Sequence, residues 1–129
     1  MTTAKLPINF LHAENTDWLK RMDFYKHETQ VLEERLKDAT GLFESKEMKA
    51  KLEHFQNQLI IQKEKIDELS HDIRDHESYI ENRVIENPTE TEHRELNDHP
   101  VLRDRFVTFE KLYNDLRKEF YLFISKELR

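Results

Sequence analysis

The sequence predicts an all-α protein, and three observations carry that prediction. The 129 residues include one glycine, Gly41, and three prolines, whereas sheet-containing folds need many glycine and proline turns. Leucine, glutamate, lysine and arginine, which favour helices, dominate the composition. Apolar residues recur at alternating spacings of three and four, the heptad pattern of helices that pack side by side. At this length we expect a single domain over 1–129.

The first predicted helix covers about 17–40 and follows an N-terminal extension at 1–14. Asn15 or Thr16 can cap its start, because such side chains accept hydrogen bonds from the first free backbone N–H groups. Its seam, the set of core-facing heptad positions, has one polar member. The seam residues are Trp18, Met22, Tyr25, Thr29, Leu32, Leu36 and Ala39.

The second predicted helix is unusually long, because nothing breaks a helix between Ser45, a plausible cap, and Pro88. We expect it over 45–87, roughly 60–65 Å at about 1.5 Å per residue. Gln62, His76 and Arg83 are polar members of its otherwise apolar seam. The full seam is Met48, Leu52, Phe55, Leu59, Gln62, Ile66, Leu69, Ile73, His76, Ile80 and Arg83.

The remaining chain predicts a short helix and a third long one. Thr89 and Glu92 match a capping box, so we expect a short helix over 90–97. Pro100 suits the first turn of a helix over 99–128, since its missing N–H is not needed there. The seam of this third long helix is Leu102, Phe106, Phe109, Tyr113, Leu116, Phe120 and Phe123.

Short connections predict an elongated antiparallel bundle of these helices. Helix 1 then lies along 45–68 of the second helix and helix 3 along 57–87, so that the three overlap only near 57–68. Much of the second helix would keep an exposed flank. We therefore expect a second protomer to complete a four-helix cross-section, most simply as a two-fold homodimer. The alternative is a monomeric three-helix bundle with frayed ends.

Composition excludes several classes of function. The chain has no cysteine, which excludes disulfides, zinc–thiolate sites and cysteine nucleophiles. A single glycine leaves no glycine-rich phosphate loop. The net charge is −6 and no lysine or arginine block occurs, so we expect neither nucleic acid nor a membrane surface as partner. We expect no signal peptide, no membrane span, no cofactor and a cytoplasmic location.

The segment "SHDIRDHESYI" at 70–80 is rich in potential metal ligands. The heptad frame places His71 and Asp75 on the outer surface, where they form a solvated pair one turn apart. His76 falls in the seam. It is interpreted as a residue that fixes register through a hydrogen bond to Asp72 or to another helix, with a pH switch or a metal ligand as alternatives.

Two Glu-x-x-His motifs have the spacing that di-iron bundles use. The first joins Glu68 to His71, and both fall on outward positions; the second joins Glu90 to His93 and lies in the connection after Pro88. We therefore predict no catalytic, cofactor-binding or metal site. A metal-binding bundle of the di-metal or hemerythrin type, with His76 and nearby carboxylates at its centre, is the alternative.

Two stretches carry a resemblance: "EHFQNQLIIQKEKIDELSHDI" at 53–73 and "WLKRMDFYKHE" at 18–28. They resemble an uncharacterised family of short, all-helical bacterial proteins, and the resemblance implies a bacterial, cytoplasmic protein without supplying a catalytic motif. The function expected is that of a non-enzymatic helical protein that self-associates and binds another protein. The polar run at 53–58 is a candidate docking surface, with ordinary solvated helix surface as the alternative.

Overall fold

The computed structural model describes the backbone of residues 8–86 and 93–127 and the side chains of 8–82 and 98–127. The described chain forms three helices: α1 (Ile8–Thr40), α2 (Lys46–Glu86) and α3 (His93–Glu127). It contains no strand within these ranges. The prediction of an all-α protein with three long helices is confirmed.

Helix α1 begins at Ile8, well before the expected start at 17. The heptad spacing continues upstream, because Ile8, Leu11 and Asn15 are buried at intervals of three and four. Burial of these side chains stabilises the extra turns, so 8–14 is helix rather than an extension. Asn15 is a seam position inside the helix and not its cap.

Helix α2 is continuous, as the sequence predicted for 45–87. Its observed bounds, Lys46–Glu86, give 41 residues and a length of about 60 Å. The backbone N–H of Met48 donates to the Ser45 hydroxyl at 3.2 Å, which confirms the predicted cap. Of the predicted seam residues at 48–80, Met48 is half-buried and the rest are buried. Arg83 lies outside the described side chains.

Helix α3 is one continuous helix from His93 to Glu127, which corrects the expectation of two pieces at 90–97 and 99–128. Pro100 lies inside it rather than in its first turn. A proline removes one backbone hydrogen bond, but His99 and Leu102 on either side are both buried in the core. Tertiary packing on the two sides of Pro100 therefore accounts for a helix that runs through it.

Apolar contact among the three helices extends over most of their length, which corrects the expected overlap confined to 57–68. Two core clusters each take residues from all three helices. One contains Trp18, Met22, Tyr25, Ile66, Leu69, Ile73, Leu102, Phe106, Phe109 and Tyr113. The other contains Leu32, Leu36, Ala39, Leu52, Phe55, Leu59, Leu116 and Phe120. Each helix is thus covered by both others, and the exposed flank expected on α2 is largely filled by α1 and α3.

Three charge pairs join α1 to α3, and we call them the charge ladder. They are Glu14–Arg103, Arg21–Glu110 and Glu28–Arg117. Successive pairs are one heptad apart on both helices, and they show that α1 and α3 run parallel. Each exposed pair of this kind contributes only about 0.2–1 kcal/mol.

The order of signs in the charge ladder fixes the register of α1 against α3. The sign alternates along each helix, so a slip of one heptad would place Glu14 beside Glu110 and Arg21 beside Arg117. Like charges in contact disfavour the slipped arrangement. The slip would also separate Trp18 from His99 and Tyr113 from Glu28, so the charges act together with these contacts.

Candidate functional site

His76 is buried in the seam, as the sequence predicted, and it hydrogen-bonds to His99 on α3. The distance from His76 Nε2 to His99 Nδ1 is 3.2 Å. Asp72, the other partner considered, instead forms an ion pair with Arg105 at 2.8 Å. His76 therefore contacts a neighbouring helix within the same chain. His99 was not assigned to the seam from the sequence, although it lies three residues before Leu102, which is a heptad spacing.

A chain of hydrogen bonds continues from His99 to the surface of α1. His99 Nε2 lies 2.8 Å from Glu14 Oε1, and Arg103 binds the same carboxylate, with its Nε 3.2 Å from Oε2. The ring of Trp18 stacks on His99 with 4.8 Å between centroids. A neutral histidine has one N–H donor and one acceptor nitrogen. If His99 donates from Nε2 to Glu14, its Nδ1 accepts a hydrogen bond from His76, so a neutral His99 satisfies both contacts.

Burial controls the protonation of this chain. Burial lowers the pKa of His99 below its usual value, although the hydrogen bond and charge of Glu14 act in the opposite direction. For Glu14, burial acts to raise the pKa, but hydrogen bonds from Arg103 and His99 outweigh it and the pKa lies below its usual value. Near neutral pH the arrangement is a neutral histidine beside an ionised carboxylate that Arg103 balances.

A second polar group joins α1 to α2 at the same end of the molecule. His12 Nδ1 contacts the Glu77 carboxylate, and Asn15 Nδ2 donates to Glu77 Oε1 at 3.1 Å. One ligand atom each from His12, Glu77 and Glu81 lies within 4.8 Å of the others. The sequence signal was available, because the heptad spacing extended upstream from Trp18 reaches Asn15.

The motifs singled out in the sequence are not brought together. Glu68 and His71 are exposed, and His71 Nδ1 lies 3.3 Å from Asp72 rather than beside Asp75. The motif at 90–93 lies outside the described side chains. In the run at 53–58, the seam residue is buried and the polar side chains are exposed or half-buried, as ordinary helix surface would be.

Exposed apolar side chains lie along the outer side of the α1–α3 contact, and we call this surface the α1/α3 face. It consists of Phe10, Phe24, Val31, Val107 and Tyr121. On each helix these residues are separated by multiples of seven, and each neighbours a charge-ladder residue three or four positions away. Phe24 is 56% exposed and Val107 is 58% exposed. Arg35 of α1 lies over the Tyr121 ring at 5.7 Å, which links the two halves of the face.

Comparison with known proteins returned no match to this chain among family models, curated proteins or solved structures. None of the described helices combines the length and apolar character that crossing a membrane requires. The residues themselves are thus the basis for assigning a function.

Proposed function

We propose that the protein is a non-enzymatic helical interaction protein that acts by self-association, with a second copy covering the α1/α3 face. The observation that carries the proposal is the stripe of exposed apolar side chains on that face, which includes Phe24 and Val107. Exposed apolar residues that recur on one face are typical of interaction sites, whereas scattered ones are not, and these residues recur at heptad spacings, with Asp17 and Asn114 at the intervening positions.

The charges on the α1/α3 face favour a second copy as its occupant. The whole chain carries a net charge of −6. The charge ladder beside the apolar stripe contains three carboxylates and three arginines, so its net charge is zero. The charge ladder therefore adds no net repulsion when two copies meet through this face.

Pairing through this face would bring α1 and α3 of one protomer against α1 and α3 of its partner. The interface itself would contain four helices, with α2 of each protomer behind them, which differs from the four-helix cross-section expected from the sequence. A closed two-fold dimer is the simplest form, because it uses the same surface on both protomers.

Binding of another protein, a cytoplasmic location and a bacterial source remain part of the proposal.

The alternative of a di-metal bundle centred on His76 has less support. His76 hydrogen-bonds to His99, whose other ring nitrogen contacts Glu14, and Arg103 also binds the Glu14 carboxylate. An arginine held against the carboxylate competes directly with a metal ion for it.

Sedimentation equilibrium at high micromolar concentration tests the proposal. We expect the wild-type chain to approach twice its 15.8 kDa mass. Phe24→Glu and Val107→Glu should each weaken the dimer at least tenfold, since a buried unpaired carboxylate costs about 2 kcal/mol or more. Both positions are exposed in the protomer, so folding should be unaffected, which circular dichroism checks.

Ile60→Glu is the matched control. Ile60 is 44% exposed on α2, away from the α1/α3 face, and its substitution should leave the dimer intact. A wild-type monomer at high micromolar concentration would overturn the proposal. So would a dimer that Ile60→Glu dissociates and Phe24→Glu leaves intact.

A further inference from the structure

We propose that His12, Glu77 and Glu81 form a binding site for one divalent transition-metal ion between α1 and α2. The ligand atoms of these three residues all lie within 4.8 Å of one another. A single ion can therefore contact all three after small side-chain adjustments. Glu77 and Glu81 are one turn apart on α2, so both carboxylates project to the same side of the helix.

A buried atom beside this group gives independent support. Asn15 is fully buried, and its amide nitrogen donates to Glu77 Oε1 at 3.1 Å. The oxygen of the same amide, Oδ1, is buried and has no hydrogen-bond partner within the part of the chain that the structure describes. Leaving a buried acceptor unsatisfied costs about 1–3 kcal/mol. A water molecule bound to a metal ion on Glu77 could donate a hydrogen bond to Asn15 Oδ1.

The arrangement of charge also favours a cation. Glu77 is mostly buried, Glu81 is exposed, and their carboxylates approach the same imidazole of His12. Two carboxylates this close repel each other, and Glu81 makes no ion pair with any described residue. A divalent ion would neutralise both carboxylates.

The ligand set indicates the class of metal ion. An imidazole nitrogen with two carboxylates suits zinc, manganese, iron or cobalt, whereas magnesium and calcium prefer oxygen ligands alone. The site is separate from the pair formed by His76 and His99. It also differs from the sequence motif that joins Glu68 to His71, whose side chains point outward.

Calorimetric titration of the chelator-treated 129-residue chain with Zn²⁺ tests the proposal. We expect one ion per chain, with affinity lowered at least about tenfold by His12→Ala and by Glu81→Gln. Glu81 is exposed, so its substitution should not affect folding, and the thermal midpoint without metal checks this point. The wild-type midpoint should rise with added Zn²⁺, and the Glu81→Gln midpoint should rise less.

His71→Ala is the matched control, because His71 is an exposed histidine beside a carboxylate of α2 and lies outside the site. It should bind Zn²⁺ like the wild-type chain. Absence of saturable binding at millimolar Zn²⁺ would overturn the proposal, as would binding that His12→Ala and Glu81→Gln leave unchanged. An equal loss of affinity in His71→Ala would mean adventitious surface binding and would also overturn it. Oligomeric state is measured separately, so this result is independent of the proposed self-association.

Discussion

The middle of the core contains a tyrosine whose hydroxyl donates to a carboxylate and also interacts with the Thr29 side chain, and removing the carboxylate should be costly. Tyr113 is fully buried, and its hydroxyl donates to Glu28 Oε1 at 2.7 Å. Arg117 binds the other oxygen of Glu28 at 3.2 Å. Burial raises the pKa of Tyr113, and the hydrogen bond to Glu28 raises it further, so the tyrosine remains a neutral donor.

Glu28→Ala should lower the free energy of unfolding by roughly 2–4 kcal/mol. Removing the carboxylate acceptor of the hydroxyl contributes about 1–3 kcal/mol of this loss. The ion pair with Arg117 contributes at most about 1 kcal/mol, because Arg117 is one-third exposed. Tyr113→Phe removes the same hydrogen bond but leaves Glu28 paired, and it should cost about 1–2 kcal/mol.

Urea unfolding followed by circular dichroism gives these free energies, and a double-mutant cycle separates the shared part. We expect Glu28→Ala/Tyr113→Phe to cost about 1–2 kcal/mol less than the sum of the single variants. Glu33→Ala is the control, because Glu33 lies on the same helix as Glu28 and forms a surface ion pair with Lys63 of α2, and its loss should cost under about 0.5 kcal/mol. Additive losses, or equal losses from Glu28→Ala and Glu33→Ala, would refute the reasoning.

Three further predictions concern the core and its histidine. Leu59→Ala should cost about 2–5 kcal/mol in urea unfolding, because Leu59 is fully buried, whereas Ile60→Ala beside it should cost under about 0.5 kcal/mol. Gln62→Leu should raise the thermal midpoint, since Gln62 Oε1 is buried without a partner among the described residues; a lower midpoint would contradict this. The pKa of His99 is lower in the folded chain than in the unfolded one. Unfolding therefore takes up a proton, and stability measured by urea unfolding should fall as pH drops through about 6.5; a stability independent of pH between 7.5 and 5.5 would contradict this.

The interior of each helix could be predicted from the sequence because heptad spacing determines which side chains face inward. Leu59 and Ile73 were assigned to the seam from spacing alone, and both are fully buried. His76 was assigned in the same way, and its burial is confirmed. Spacing is a property of one helix, so it specifies a face without specifying which helix covers it.

Pairings between helices were harder to predict. Asn15 has the side chain of a cap, and that local signal placed the start of α1 too late in the sequence. Pro100 similarly suggested a helix start, so His99 was omitted from the seam. Both local signals were outweighed by tertiary burial of the neighbouring turns. Without those turns, the partners of His76 and Glu77 could not be identified.

The alternating signs of the charge ladder are visible in the sequence, but their meaning depends on knowing that α1 lies beside α3. The sequence predicted that α1 lies along the early part of α2 and that α3 lies along the later part. In that arrangement Arg21 and Glu110 would not be in contact. Both residues lie inside the predicted helices 17–40 and 99–128, so their contact, at 3.3 Å, depends on how α1 and α3 are placed relative to each other and not on the helix bounds.

Self-association through the α1/α3 face is tested most directly by the distance between spin labels in two protomers. The chain has no cysteine, so Lys111→Cys introduces a single labelling site on an exposed residue of α3 that is not part of the α1/α3 face. Double electron–electron resonance at high micromolar concentration should give a defined distance between labels on two copies, and Phe24→Glu should remove it. A signal containing only the background of isolated spins, at every concentration tested, would contradict the proposal that a second copy covers this face.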